Sequence, residues 1–179
     1  MIRAVFAAAT VLITAHMPVA AQAQQGYVWG YTPSIAASPL ETYLGITYGV
    51  PQTDDSQFMG TCIVGMSGPL VRFNIVAFPG GREHGSTVSV QFNGQGFSRT
   101  LSGKVLNENV MVETVEIVIA PNDQFWQALI SQNQLTYAIE GERSETLGLR
   151  GSARPVRQFT ADCTNILSMS APAGGGDGK

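Results

Sequence analysis

The chain has 179 residues, with ten Lys and Arg against thirteen Asp and Glu and only 13% charged residues in all. That mildly acidic balance argues against a nucleic-acid footprint, which needs clustered excess basic charge, and offers no attraction to anionic lipid. Sparse charge with plentiful Gly, Thr, Ser, Asn and Gln suits an exported β-protein.

Residues 1–23 read as a secretory signal peptide. Arg3 supplies a positive start, and the run Ala4 to Ala15 is apolar but too short to span a bilayer. Ala21-Gln22-Ala23 has the small-x-small pattern that signal peptidase needs. The alternative is an uncleaved anchor. No cysteine stands at the cleavage point, which argues against a lipoprotein, and no later apolar run has the length of a membrane helix. The expected product is soluble and periplasmic or secreted. Its roughly 155 residues suffice for one domain with a sizeable core.

Residues 24–40 form an N-terminal arm in which Tyr27, Trp29 and Tyr31 alternate. They predict either an edge strand packed on the domain or an exposed aromatic strip that docks a partner or a sugar. Residues 41–166 read as a single β-rich domain, because short β-branched and aromatic runs alternate with turn signals. Strands are expected at Tyr43 to Tyr48, Gln57 to Val64, Leu70 to Phe78, Thr87 to Phe92, Phe97 to Val105 and Met111 to Ile119. Phe58, Gly60, Cys62 and Val64 share one face, as do Val71, Phe73, Ile75 and Ala77. Asn93-Gly94 is a strong hairpin signal, since both residues tolerate positive φ.

Pro121-Asn122-Asp123 predicts a helix start, followed by an apolar side of Phe125, Trp126, Leu129 and Ile130. Leu135 to Ile139 and Glu145 to Leu149 predict a further hairpin. A last helix follows Gly151-Ser152, with Ser152 as its N-cap, Pro155 in its first turn and an apolar stripe of Val156, Phe159 and Cys163. Residues 167–179 are small, Gly-rich and expected to be a disordered tail.

The chain has two cysteines, so their pairing is forced if they pair at all. Both face the core, Cys62 from an early strand and Cys163 from the closing helix, which predicts a disulfide. Closing a loop of about a hundred residues contributes about 4.7 kcal/mol in the chain-entropy model. The alternative is two unpaired thiols.

Catalytic chemistry is poorly supported. His84 is the one histidine beyond the signal segment, sits in a Gly-rich loop, and has no Gly-x-Ser-x-Gly elbow to serve. One histidine and two distant cysteines do not make a zinc site. Thr53-Asp54-Asp55 lacks an EF-hand pattern, and Asp54 is expected to cap a turn. Glu113 and Glu116 fall on opposite strand faces, whereas Glu140, Glu142 and Glu145 flank Arg143 at an expected solvated tip. The segment from Leu149 to Arg157 is the most defensible site. Arg150, Ser152, Arg154 and Arg157 gather around a helix start, where a carboxylate or phosphate would be favoured.

Two stretches, Tyr48-Gly49-Val50-Pro51 through Thr53-Asp54-Asp55 to Cys62, and Leu149-Arg150-Gly151-Ser152 through Phe159 to Cys163, carry a resemblance. They are similar to uncharacterised exported bacterial proteins that share a β-domain with a terminal disulfide. The resemblance spans most of the mature chain and implies no activity, ligand or cofactor.

The expected fold is an antiparallel β-sandwich or partly closed barrel with two short helices, the C-terminal one disulfide-linked to an early strand. The expected function is a non-enzymatic binding or inhibitor-like module of the envelope. Its partner would be a protein or envelope polymer rather than nucleic acid, and it would need no cofactor. A carboxylate-dependent hydrolase and an assembly subunit self-associating through the aromatic arm are the alternatives.

Overall fold

The computed structural model describes residues 26–107 and 113–169. The expected signal peptide, the first residues of the arm and residues 170–179 of the expected tail lie outside the described residues, as does the start of the run from Met111. The chain forms β1 (Val28–Ser34), β2 (Tyr43–Gly49), β3 (Ser56–Gly65), β4 (Gly68–Val76), β5 (Thr87–Gly94), β6 (Phe97–Leu106) and β7 (Thr114–Ile119). Helix α1 (Gln124–Ser131), β8 (Gln134–Ile139), β9 (Glu145–Gly148) and helix α2 (Ala153–Thr164) follow. A 3-10 turn at Ile166–Ser168 continues past α2, and Met169 packs on the core, so ordered chain runs beyond the expected boundary at 166.

The nine strands make one antiparallel sheet in the order β1-β2-β3-β4-β7-β6-β5-β8-β9. It is a curled half-barrel, the second of the two architectures expected, and not a sandwich. Strand alternation explains which face is inside: Phe58, Val71, Phe73, Ile75, Val90 and Phe92 are all fully buried. Both helices pack on that inner face. Phe125 of α1 stacks on Phe73 at 5.2 Å and meets Phe92 edge-on at 4.9 Å, while Trp126 reaches Phe58, Phe73 and Phe159. The buried rings therefore run continuously from Trp29 on β1 to Tyr137 on β8.

The two sheet edges approach each other but do not pair through their backbones. Leu147 lies opposite Leu135, and the Leu149 N–H donates to the Asn133 carbonyl, so Thr146 and Gly148 turn their carbonyls to the free side of β9. Gln57 Nε2 donates to Thr146 O at 2.9 Å, and Trp29 Nε1 donates to Gly148 O at 2.8 Å. Two side chains thus complete the curl and occupy an edge that would otherwise invite another strand.

The Cys62–Cys163 disulfide is present, joining β3 to the last turn of α2 across 101 residues. Val156, Phe159 and Cys163 are buried as the i, i+3, i+7 stripe requires. One turn differs from expectation. The β5–β6 hairpin closes at Gln95-Gly96, with Gly96 at φ +68°, and Gly94 remains in the strand opposite Phe97. A Cβ at Gly94 would collide with the side chains of Gln132 and Leu135, so this glycine serves close approach rather than the turn.

Candidate functional site

The aromatic arm turns inward. Pairing β1 with β2 puts Trp29 on the core face, where it is 8% exposed and stacks on Tyr48 at 5.2 Å. Tyr31 meets Phe159 edge-on, and its hydroxyl donates to Asp162 Oδ2 at 2.6 Å. Tyr27 packs on Tyr48, and its hydroxyl donates to the Asp55 carboxylate. The Asp55 hydrogen bond, with some desolvation, pushes the Tyr27 pKa up to about 12. Burial, then the Asp162 contact, raises that of Tyr31. Of the two readings of this arm, the packed edge strand is the one the structure shows, and the exposed docking strip is not. The ring faces and polar tips of these three residues are taken up by the fold, because the strand period that aligns them also aligns them with the core.

Six of the described carboxylates are similarly committed. Glu116 pairs with Arg72 (3.5 Å), Glu142 with Arg82 (2.8 Å), Asp123 with Arg99 (2.6 Å) and Glu145 with Arg143 (3.1 Å). Asp55 and Asp162 hold the two tyrosines. Asp123 is the N-cap of α1, accepting from the Phe125 N–H, so Arg99 ties β6 to that helix start. The Glu140–Glu145 tip is clamped rather than merely solvated. Arg82 donates to Glu142, to the Glu140 carbonyl and to the Pro79 carbonyl, while the Arg143 guanidinium lies 3.3 Å over the Phe78 ring. His84 Nδ1 accepts the Asn107 N–H at 3.3 Å. The loop before β3 is closed by Thr53, whose hydroxyl donates to Val50 O and accepts from the Asp55 N–H, rather than by Asp54. Among the described residues no three His, Cys, Asp or Glu side chains come together as a metal site would need.

Seven arginines lie among the described residues. Four of them, Arg72, Arg82, Arg99 and Arg143, make the ion pairs above. The other three are Arg150, Arg154 and Arg157, all exposed and without an ion pair among the described residues. They fall within eight consecutive positions that leave β9 and enter α2. Ser152 departs from the expected role. It is 1% exposed, its backbone is already helical (φ −66°, ψ −32°), and its side chain caps nothing. Its hydroxyl bonds the Leu149 carbonyl at 2.7 Å and the Leu129 carbonyl, which pins the end of α1 to the start of α2. A serine capping a helix needs an extended backbone to aim Oγ at the next N–H groups, and this one lacks it. Ser152 therefore leaves the anion-binding set, and the arginines remain.

Next to that segment lies a polar cleft of about 680 Å³ that sequence reasoning missed. Its walls carry five side-chain amides, Asn93, Gln95, Gln132, Asn133 and Gln134, with two hydroxyls and no charge. Gln132 is used structurally: its Oε1 accepts the Gln95 N–H at 2.8 Å and its Nε2 donates to the Gln95 carbonyl. Asn93 Oδ1 accepts from Ser98. The side chains of Gln95, Asn133 and Gln134 make no hydrogen bond among the described residues. The cleft borders the start of the arginine segment through the backbone, because the Leu149 N–H donates to Asn133 O at 2.9 Å and Gln134 lies opposite Gly148. Arg150 is the residue after Leu149. The only local signal was the polar run Ser131-Gln132-Asn133-Gln134 between two apolar elements, which reads as a turn.

No family model matches the chain, and no curated protein does. Among solved structures it is similar to invasion associated protein B from Bartonella henselae, with a TM-score of 0.48 and 14% identity, over 77% of this chain and 95% of that one.

Proposed function

We propose that the protein is an exported, non-catalytic binding module that captures an anionic partner or envelope polymer through Arg150, Arg154 and Arg157. The observation that carries this reading is the sorting of its arginines. Carboxylates are in excess over the whole chain, yet the three described arginines left without one fall within eight consecutive positions. An exposed guanidinium offers five donors in a planar fork suited to carboxylate, phosphate or sulfate. The buried disulfide favours an oxidising compartment, and no helix among the described residues is long and apolar enough to cross a membrane. Export through the signal-like residues 1–23 is part of the proposal.

The test is a titration of a carboxylated or sulfated polymer into the wild type and into an Arg154→Ala/Arg157→Ala variant at low and moderate salt. The wild type should bind, weaken as salt rises, and bind far better than the variant. Equal weak responses from both proteins would remove the reading.

A further inference from the structure

We infer that the anion recognised is an acidic saccharide, its sugar hydroxyls held in the amide-lined cleft and its carboxylate or sulfate groups over the neighbouring arginines. This inference rests on the binding reading above and names the ligand class for that surface. Two observations carry it beyond charge. The first is the chemistry of the cleft, where Gln95, Asn133 and Gln134 are exposed and present amides that no described protein group uses, leaving them to water or a ligand. A side-chain amide donates through nitrogen and accepts through oxygen, and a sugar hydroxyl does both, so neutral amides match vicinal hydroxyls without a desolvated charge. The second is adjacency. The Asn133–Leu149 backbone bond places the cleft wall one residue from Arg150, Gln134 sits opposite Gly148 on the same strand pair, and Arg154 and Arg157 follow in the first turns of α2.

Other polyanions fit less well. An acidic peptide ordinarily anchors through buried apolar or aromatic side chains, and this cleft is lined by amides, hydroxyls and a glycine. A single-stranded nucleic acid would need aromatic platforms for its bases, whereas Trp29 and Phe92 are buried in the core. The cleft volume lies within the ~300–1,000 Å³ typical of small-ligand sites.

The experiment uses the mature, oxidised protein with three probes: an oligogalacturonate, its neutral methyl ester, and poly-glutamate as charge alone. Calorimetry would be run on the wild type, on Asn133→Ala/Gln134→Ala and on Arg154→Ala/Arg157→Ala, each first shown to melt as the wild type does. The oligogalacturonate should bind about tenfold tighter than either control, and the cleft variant should lose about tenfold for it while leaving poly-glutamate unchanged. Equal binding of oligogalacturonate and poly-glutamate, indifferent to the cleft variant, would overturn the saccharide inference and leave the anion reading standing. Ester binding as tight as that of the acid would overturn the anion reading. Silence from both polyanions would overturn both.

Discussion

The aromatic arm and the arginine segment both present three side chains of one chemical kind within a short stretch, yet the fold treats them in opposite ways. In the arm each aromatic polar tip has a partner: Trp29 Nε1 on the Gly148 carbonyl, Tyr31 on Asp162 and Tyr27 on Asp55. From the end of β9 into α2 the three guanidinium groups have no ion pair among the described residues. The arm is spent on holding the curl together, whereas the arginines contribute nothing visible to it. The difference teaches that a cluster of like residues points to recognition only when their functional atoms are left over after folding.

Perturbing what the fold has already used should cost stability, and the disulfide sets the upper end. It pins the far end of α2, whose near end Ser152 pins to α1. A Cys62→Ser/Cys163→Ser variant should lose about 4.7 kcal/mol in the chain-entropy model, measured by denaturant unfolding. A loss under about 1 kcal/mol would mean that packing of Val156 and Phe159 alone holds the helix. Trp29→Ala should come next, at about 3 kcal/mol, through a buried ring lost and the Gly148 carbonyl left without its donor. Trp29→Phe separates the two effects, because it keeps a ring but drops the indole N–H. A near-neutral Trp29→Ala would return the arm to the list of available surfaces.

The tyrosines sharpen the contrast by pH. Tyr27 is raised to about 12, and Tyr31 and Tyr137 are raised too, Tyr31 and Tyr137 chiefly by burial. The folded protein therefore holds these protons more tightly than the unfolded chain does. Their stabilisation is complete below the ordinary tyrosine value of 10.0 and is lost as pH climbs from there through about 12. Alkaline unfolding should begin above pH 10, and Tyr27→Phe or Tyr31→Phe should flatten its slope. An unchanged slope in both variants would show that neither hydroxyl is held as the structure places it.

Elements governed by local period were legible from the residues: the inner faces of β3 and β4, the stripe of α2, and the cysteine pair those two faces bring together. Features decided by distant contacts were not. Nothing local to Gln57 says that its amide will meet Thr146 across the seam, and nothing local says that all nine strands will join one sheet rather than two. The hairpin turn lies beyond Asn93-Gly94 because Gln132, from α1, needs the space at Gly94. The cleft is invisible for the same reason, since its amides come from the β5–β6 turn, the end of α1 and β8. Ser152 matches a capping pattern by position, yet its hydroxyl is taken by the carbonyls of Leu129 in α1 and of Leu149 just after β9.

The smallest expected effect on stability is the most discriminating. Arg154→Ala/Arg157→Ala removes two exposed guanidinium groups with no ion pair among the described residues, so unfolding free energy should move by no more than about 0.5 kcal/mol. Arg99→Ala gives the calibration on the same scale. It strips a charged partner from Asp123, the N-cap of α1, and should cost clearly more, about 1–3 kcal/mol. If the double variant cost as much as Arg99→Ala, the arginines would be structural and the contrast with the arm would collapse. If it cost nothing while polymer binding vanished, stability and recognition would reside in separate sets of side chains.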